Sequence, residues 1–181
     1  MSIKLRRIQE NDLEMIMKWR MSPEVTKYMY TDPHLDIKQQ RLWYQKVKDD
    51  ISTSYWIIIY NGSPIGLVSL NNIDYKNKRC SMGHYIAEVS YRGKGIWSAI
   101  EYNLYNYIFY EVNLNKLYFE MLSFNENAID LHKKLGCEIE GVLKQHICKN
   151  GQFLDVVIMG MTKDKWETIK GSYQYEKIEI E

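Results

Sequence analysis

The chain has 181 residues, 45% hydrophobic and 26% charged, the balance of a soluble globular protein long enough for one sizeable core. Its net charge of +1 gives no reason to expect nucleic acid or an anionic membrane as the partner. Three cysteines in no paired spacing, Cys80, Cys137 and Cys148, argue against a disulfide framework or structural zinc and point to a reducing, cytoplasmic setting.

The first residues, Met1 to Arg7, lead into no apolar signal core, and no run approaches the ~18 apolar residues of a membrane span. Ile3 to Ile8 alternates as a first strand. Asn11 or Asp12 caps the helix that follows, in which Leu13, Ile16, Met17 and Arg20 share a face, and Ser22-Pro23 ends it. An aromatic-rich loop, Val25 to Pro33, carries Tyr28, Met29 and Tyr30. A second helix is predicted from about Asp36 to Lys48, with Leu42, Trp43 and Val47 inward. Tyr55 to Tyr60 and Ile65 to Leu70 read as strands joined by Asn61-Gly62, a strong hairpin signal. A polar turn from Asp74 to Arg79 precedes a strand ending at Ala87.

Next comes Ser90-Tyr91-Arg92-Gly93-Lys94-Gly95, followed by a helix with Ile96, Ile100, Leu104, Tyr107 and Ile108 on one face. Two glycines and two cations thus occupy a strand-to-helix turn. The first N–H groups of a helix lack intrahelical partners and carry partial positive charge, so such a turn can receive an anion. A lone Gly-x-Gly is more often merely a tight loop, and the motif is weak by itself. Further on, Lys116 to Leu122 is a strand, and Asn125 to Gly136 a helix with Ala128, Leu131, His132 and Leu135 on one face. Glu138 to Cys148 and Phe153 to Met161 are strands flanking the turn Lys149-Asn150-Gly151. Thr162 onward starts as a short helix and ends in a polar tail, frayed from about residue 170. The order implies one mixed α/β domain over residues 1–181.

Two segments carry a family resemblance: Arg92-Gly93-Lys94-Gly95 with its helix, and Asn125-Glu126-Asn127-Ala128-Ile129-Asp130-Leu131-His132-Lys133-Lys134-Leu135-Gly136-Cys137. Together, and in this order, they resemble the GNAT superfamily of acyl-CoA-dependent N-acetyltransferases. The resemblance implies a mixed, mostly antiparallel central sheet of about seven strands with flanking helices. It implies acetyl-CoA as cosubstrate, its pyrophosphate on the amides of Arg92, Gly93, Lys94, Gly95 and Ile96. The pantetheine arm is expected along Ile86-Ala87, with Asn125 touching it from the neighbouring strand end. A strand N–H such as that of Ile86 can polarise the thioester carbonyl. Two departures stand out. Ser90 sits where relatives often have Gln or Arg. His132 replaces the tyrosine thought to protonate the leaving thiolate; it is either that acid or a core histidine.

More narrowly, Trp19-Arg20-Met21-Ser22-Pro23-Glu24-Val25, Tyr28-Met29-Tyr30-Thr31-Asp32 and Trp43 resemble the N-acetyltransferases of pseudaminic-acid biosynthesis. Those enzymes acetylate the 4-amino group of a UDP-linked 4-amino-4,6-dideoxy-N-acetyl-altrosamine. Relatives acting on ribosomal-protein N-termini usually carry Glu at the position of Ser81. A serine there can orient water but not take a proton, which suits a weakly basic sugar amine. Tyr28, Met29, Tyr30 and Trp43 would wall a pocket for a deoxysugar methyl or a uracil face, with Arg20 or Lys27 for the diphosphate, or else they are core. His84, two residues before Ile86, either enters the same cleft or is structural.

Two alternatives remain: acetylation of a polyamine or protein N-terminus, and an inactive CoA-binding sensor. Four histidines and three cysteines form no metal-ligand pattern, so no metal is expected. Gly-Lys-Gly lacks the P-loop frame, and GxGxxG fails at Ser98. The abundant aromatics suit a homodimer.

Overall fold

The alternating stretches fold into one sheet, in which eight strands lie in the order β6-β7-β5-β4-β3-β2-β1-β8. The computed structural model describes residues 2–181. The strands are β1 Ile3–Arg7, β2 Ser54–Tyr60, β3 Ser63–Asp74, β4 Arg79–Ile86, β5 Lys116–Leu122, β6 Glu138–Lys149, β7 Gln152–Thr162 and β8 Glu179–Ile180. Only β1 with β8 and β4 with β5 run parallel; every other pair is antiparallel. Asn61 and Gly62 both take positive φ, 47° and 81°, the conformation a two-residue hairpin needs to match strand twist.

Helices cover both faces. On one lie α1 (Leu13–Met21), the single turn α2 (Pro23–Thr26) and α3 (Ile37–Val47). There Ile16 and Trp19 pack on Ile57 and Leu67. On the other lie α4 (Ile96–Asn106) and α5 (Glu126–Lys134), with α6 (Lys163–Ile169) after β7. Ile96, Ile100, Leu104 and Ile108 are all buried in the main core, as their spacing requires. No helix among the described residues is long and apolar enough to cross a membrane.

Three sequence expectations change. Leu42 is 71% exposed rather than inward. The inward stripe of α3 is Gln40, Trp43, Tyr44 and Val47, and Leu42 falls on the opposite side of the turn. The sheet has eight strands rather than seven, because the C-terminal tail is docked and not frayed. Tyr173 stacks on Tyr102 of α4 and Tyr175 packs tilted against it, with ring centroids 4.5 and 5.1 Å away. Asn103 grips the tail by accepting from the Ile178 N–H and donating to the Glu176 carbonyl. Trp56 Nε1 donates to the Glu181 carbonyl at 2.6 Å.

Deleting Ile178 to Glu181 should therefore lower stability by about 2–4 kcal/mol, from lost apolar burial at Ile178 and an orphaned Trp56 N–H. A shift of the urea midpoint measures it, and an unchanged midpoint would show that the tail contributes nothing.

Candidate active site

β4 and β5 pair only at Arg79 with Lys116, Cys80 with Leu117 and Ser81 with Tyr118, and then separate. Beyond Ser81 the edge of β4 faces a gap. Ala87 N–H donates to Ile65 across β3. Neighbouring residues of an antiparallel strand point their backbone groups to opposite edges, so the N–H and C=O of Ile86 face the gap. The carbonyl receives Arg92 Nε at 2.8 Å. The N–H aims at the same opening.

The turn after β4 is shaped by Gly93 and Gly95, whose φ values of 74° and 73° would strain any side chain. Gly95 is the residue that opens α4. No hydrogen bond within the described residues takes the N–H of Gly93 or Gly95. Arg92 departs from expectation. Its N–H is spent on the Val89 carbonyl, and its guanidinium bonds Ile86 and Glu24. It braces the turn against α2, and its own N–H is not free as the sequence reading expected. Lys94 is exposed, its Nζ 5.2 Å from the Tyr91 ring centre. Asn125 opens α5, and its side chain makes no hydrogen bond among the described residues.

Beneath the gap Glu101 and His132 are buried, and His84 lies half-buried beside them. His84 stacks flat on Trp97, centroids 3.5 Å apart. The His132 ring lies between His84 of β4 at 5.3 Å and Phe119 of β5 at 4.3 Å, at the base of the parted strands. Its Nδ1 is 2.9 Å from Glu101 Oε1. Glu101 has 0% exposure, accepts Trp97 Nε1–H at 2.5 Å and accepts the Tyr105 hydroxyl. As an acceptor from all sides, this carboxylate places the His132 hydrogen on Nδ1 and leaves Nε2 as the other reactive nitrogen. No buried polar side-chain atom among the described residues lacks a partner. His132 is 1% exposed, and its Nε2 makes no hydrogen bond among the described residues. The ligand atoms of Glu101, His132 and Cys137 lie within 4.8 Å of one another, as around a metal ion, but hydrogen bonds already use the carboxylate and Nδ1. Burial, and then the neighbouring His132, push His84 well below the ordinary imidazole value of 6.5.

The opposite face of the sheet carries two cavities that share Arg20. One, of about 340 Å³, is lined by Tyr28, Met29, Tyr30, Asn72, Ser81, Tyr118 and Glu120. The other, of about 380 Å³, is walled by Trp43, Tyr55, Tyr85 and Leu67. All five residues expected at the substrate thus border one or both. Ser81 is separated from the two histidines by the strand itself. Its hydroxyl donates to Asn71 O and accepts from Asn72. Glu120 was not legible: a single acid alternating with Leu117 and Phe119 along β5 carries no spacing signal. Its carboxylate accepts the Tyr30 hydroxyl at 2.8 Å. The Arg20 guanidinium bonds only the carbonyl and hydroxyl of Thr31, with no carboxylate partner among the described residues.

A parallel strand pair that parts, a glycine turn opening a helix beside it and two cavities across the sheet make up the site, and the class of protein it belongs to follows from the family match. The chain belongs to the acetyltransferase (GNAT) domain family, whose model matches residues 2–138. It is an acetyl-CoA-dependent N-acetyltransferase. It is 29% identical over 158 residues to spermidine N(1)-acetyltransferase of Escherichia coli strain K12, covering 87% of this chain and 84% of that one. It is 25% identical over 135 residues to acetyltransferase PseH of Campylobacter jejuni, covering 73% and 82%. The structure of spermidine N-acetyltransferase from Vibrio cholerae in complex with CoA and spermine superposes with a TM-score of 0.86 at 24% identity, covering 92% and 98%.

Replacing Glu101 with Ala should cost about 3–5 kcal/mol, because three donors lose their buried acceptor; urea unfolding measures it. His84 adds a pH dependence. Its folded-state value is depressed, so below 6.5 the unfolded chain binds a proton that the folded one refuses. The contribution is full above 6.5 and is lost as pH falls. The drop in urea midpoint between about pH 7.5 and about pH 5.5 should be smaller in His84→Phe than in the parent.

Proposed function

We propose that the chain acetylates the 4-amino group of a UDP-linked 4-amino-4,6-dideoxy sugar. The observation that carries this reading is Arg20, a cation with no carboxylate in salt-bridge contact and only Asp32 acting on it from farther off, set between an aromatic-walled cavity and a cavity containing Ser81 and Glu120. Burial lowers its pKa, yet a guanidinium stays charged, so an anion beside it is favoured and a polycation is not. A uracil ring suits Trp43, Tyr55 and Tyr85, and a diphosphate suits Arg20.

The residues present fit acetyl-CoA. Gly93 to Ile96 offer the anion cradle, Ile86 N–H and the β4 edge face the gap, and Asn125 stands at its far side. Acetyl-CoA supplies the acetyl group as a thioester. In the proposed mechanism Ile86 N–H polarises the thioester carbonyl. Glu120 and water held by Ser81 receive the proton of the attacking amine; His132, doubly protonated against the Glu101 carboxylate for this step, gives its Nε2 proton to the departing sulfur and is left as the neutral Nδ1–H ring. No residue becomes covalently acetylated, and both substrates are bound together.

A second reading has its own support. Glu120 would also hold an alkylammonium, and two of the similar proteins are spermidine acetyltransferases. Thiol release from acetyl-CoA, assayed with the UDP-amino sugar, spermidine and a ribosomal N-terminal peptide, separates the readings. We expect turnover on the sugar nucleotide, with Arg20→Met raising its KM about 10- to 100-fold and leaving the KM of acetyl-CoA unchanged. Turnover on spermidine alone, weakened by Glu120→Gln and not by Arg20→Met, overturns the sugar assignment. Binding of CoA with no turnover on any amine would mark a sensor.

A further inference from the structure

The segment that carries Tyr28, Met29 and Tyr30 has no regular secondary structure between α2 and α3. It is held from three distant parts of the chain. Arg20 of α1 donates to Thr31, and Glu120 of β5 accepts from Tyr30. The third hold is the tip of the β6–β7 hairpin. There Asn150 and Gly151 take φ values of 50° and 77°, turning the chain so that Lys149 projects back over the loop. Lys149 Nζ donates to the carbonyls of Thr26 at 2.7 Å and Met29 at 2.9 Å, and pairs with Asp32 Oδ1 at 2.9 Å. Asn150 Nδ2 donates to the other oxygen of Asp32 at 3.0 Å.

An ammonium has three hydrogens, and here all three have acceptors. The Lys149 side chain is 11% exposed, unusually covered for a lysine, and its charge is matched by Asp32. Thr26 O, which it holds, also accepts the Met29 N–H at 2.8 Å, so the lysine bears on the backbone that sets Tyr28 and Met29. A lysine that merely solubilised the hairpin tip would point to water.

We propose that Lys149 is a positioning residue for the amine substrate: by clamping Thr26, Met29 and Asp32, it holds the Tyr28–Tyr30 wall of the cavity in its binding conformation before the amine arrives. The role rests on that cavity being where the amine binds. Ordering the loop in advance removes from each binding event the cost of fixing it, so losing the clamp raises the KM for the amine. The acetyl-CoA elements on the other face of the sheet are untouched. Arginine cannot stand in for the lysine, because its planar fork does not match three converging acceptors.

The test is Lys149→Met, which keeps the stem and deletes the ammonium, beside Lys149→Arg. Steady-state kinetics are measured with the amine that the wild type turns over. Amide hydrogen exchange is followed across residues 26–32 and across α4. We expect the KM for the amine to rise about 10-fold in both variants, with the KM for acetyl-CoA within about twofold of wild type. Exchange at Met29 should accelerate while α4 stays protected. A lower melting temperature with unchanged kinetic constants would reduce Lys149 to a stabilising contact and overturn the proposal, as would an equal rise in both KM values. If the wild type turns over none of the amines tested, the functional reading fails first. The clamp is then decided by exchange alone: acceleration at Met29 supports it and unchanged exchange sinks it.

Discussion

The separation of β4 from β5 is the constraint around which the molecule is arranged. A sheet normally satisfies every interior N–H and C=O by pairing, and a buried group left unpaired costs about 1–3 kcal/mol. Here pairing stops at Ser81 and Tyr118. The chain tolerates this because it fills the space from below and caps it from the side. Trp97 with His84, and His132 with Phe119, occupy the floor where the strands diverge. Arg92 reaches back to the Ile86 carbonyl, so that group is not stranded. The remaining groups on that edge of β4 face the gap without a strand partner, and the core beneath holds the pair apart.

Glu101 links that opening to the fold. A carboxylate with no exposure is expensive unless donors surround it, and it draws Trp97 and Tyr105 from its own helix and His132 from α5. The first two lie one turn to either side, so they fix which face of α4 points toward α5. The third sets the orientation and tautomer of the imidazole beneath the gap. The polar group that specifies how the two helices pack is thus also the group that orients His132, so a change at Glu101 moves both.

What could be read in the sequence was whatever local rules encode. The Asn61-Gly62 hairpin, the glycine turn opening α4 and the periodic faces of α4 and α5 are each settled within about ten residues, where propensity and spacing act. The same holds for Leu42 by contrast, since one apolar residue off the stripe of α3 looks inward until the partner helix is known. Contacts that join remote segments left no trace. β8 is two residues long and finds its partner at the opposite end of the chain. Glu120 and Lys149 acquire meaning only when the sheet brings them to the Tyr28–Asp32 loop. Arg92, read from its motif as a phosphate ligand, is employed as a brace because Ile86 and Glu24 happen to lie within its reach.

Placing the two kinds of group on opposite faces has a chemical consequence. His84 and His132 stand with α4 and α5, whereas Ser81, Glu120 and Arg20 stand with α1 and α3, and the gap is where the faces communicate. An amine entering from the Arg20 side would meet the thioester carbonyl from one face while the sulfur departs over the histidine on the other. Proton acceptor and proton donor are then separate groups in separate environments, one open to water at a cavity wall and one enclosed in the core. The substrate face can change its walls, from aromatic and cationic to acidic, while His132 keeps its contacts with Glu101, His84 and Phe119. On the proposed reading, the amine would be chosen by loop, hairpin tip and Arg20, while the acetyl transfer itself would belong to the parted strands and the helix behind them.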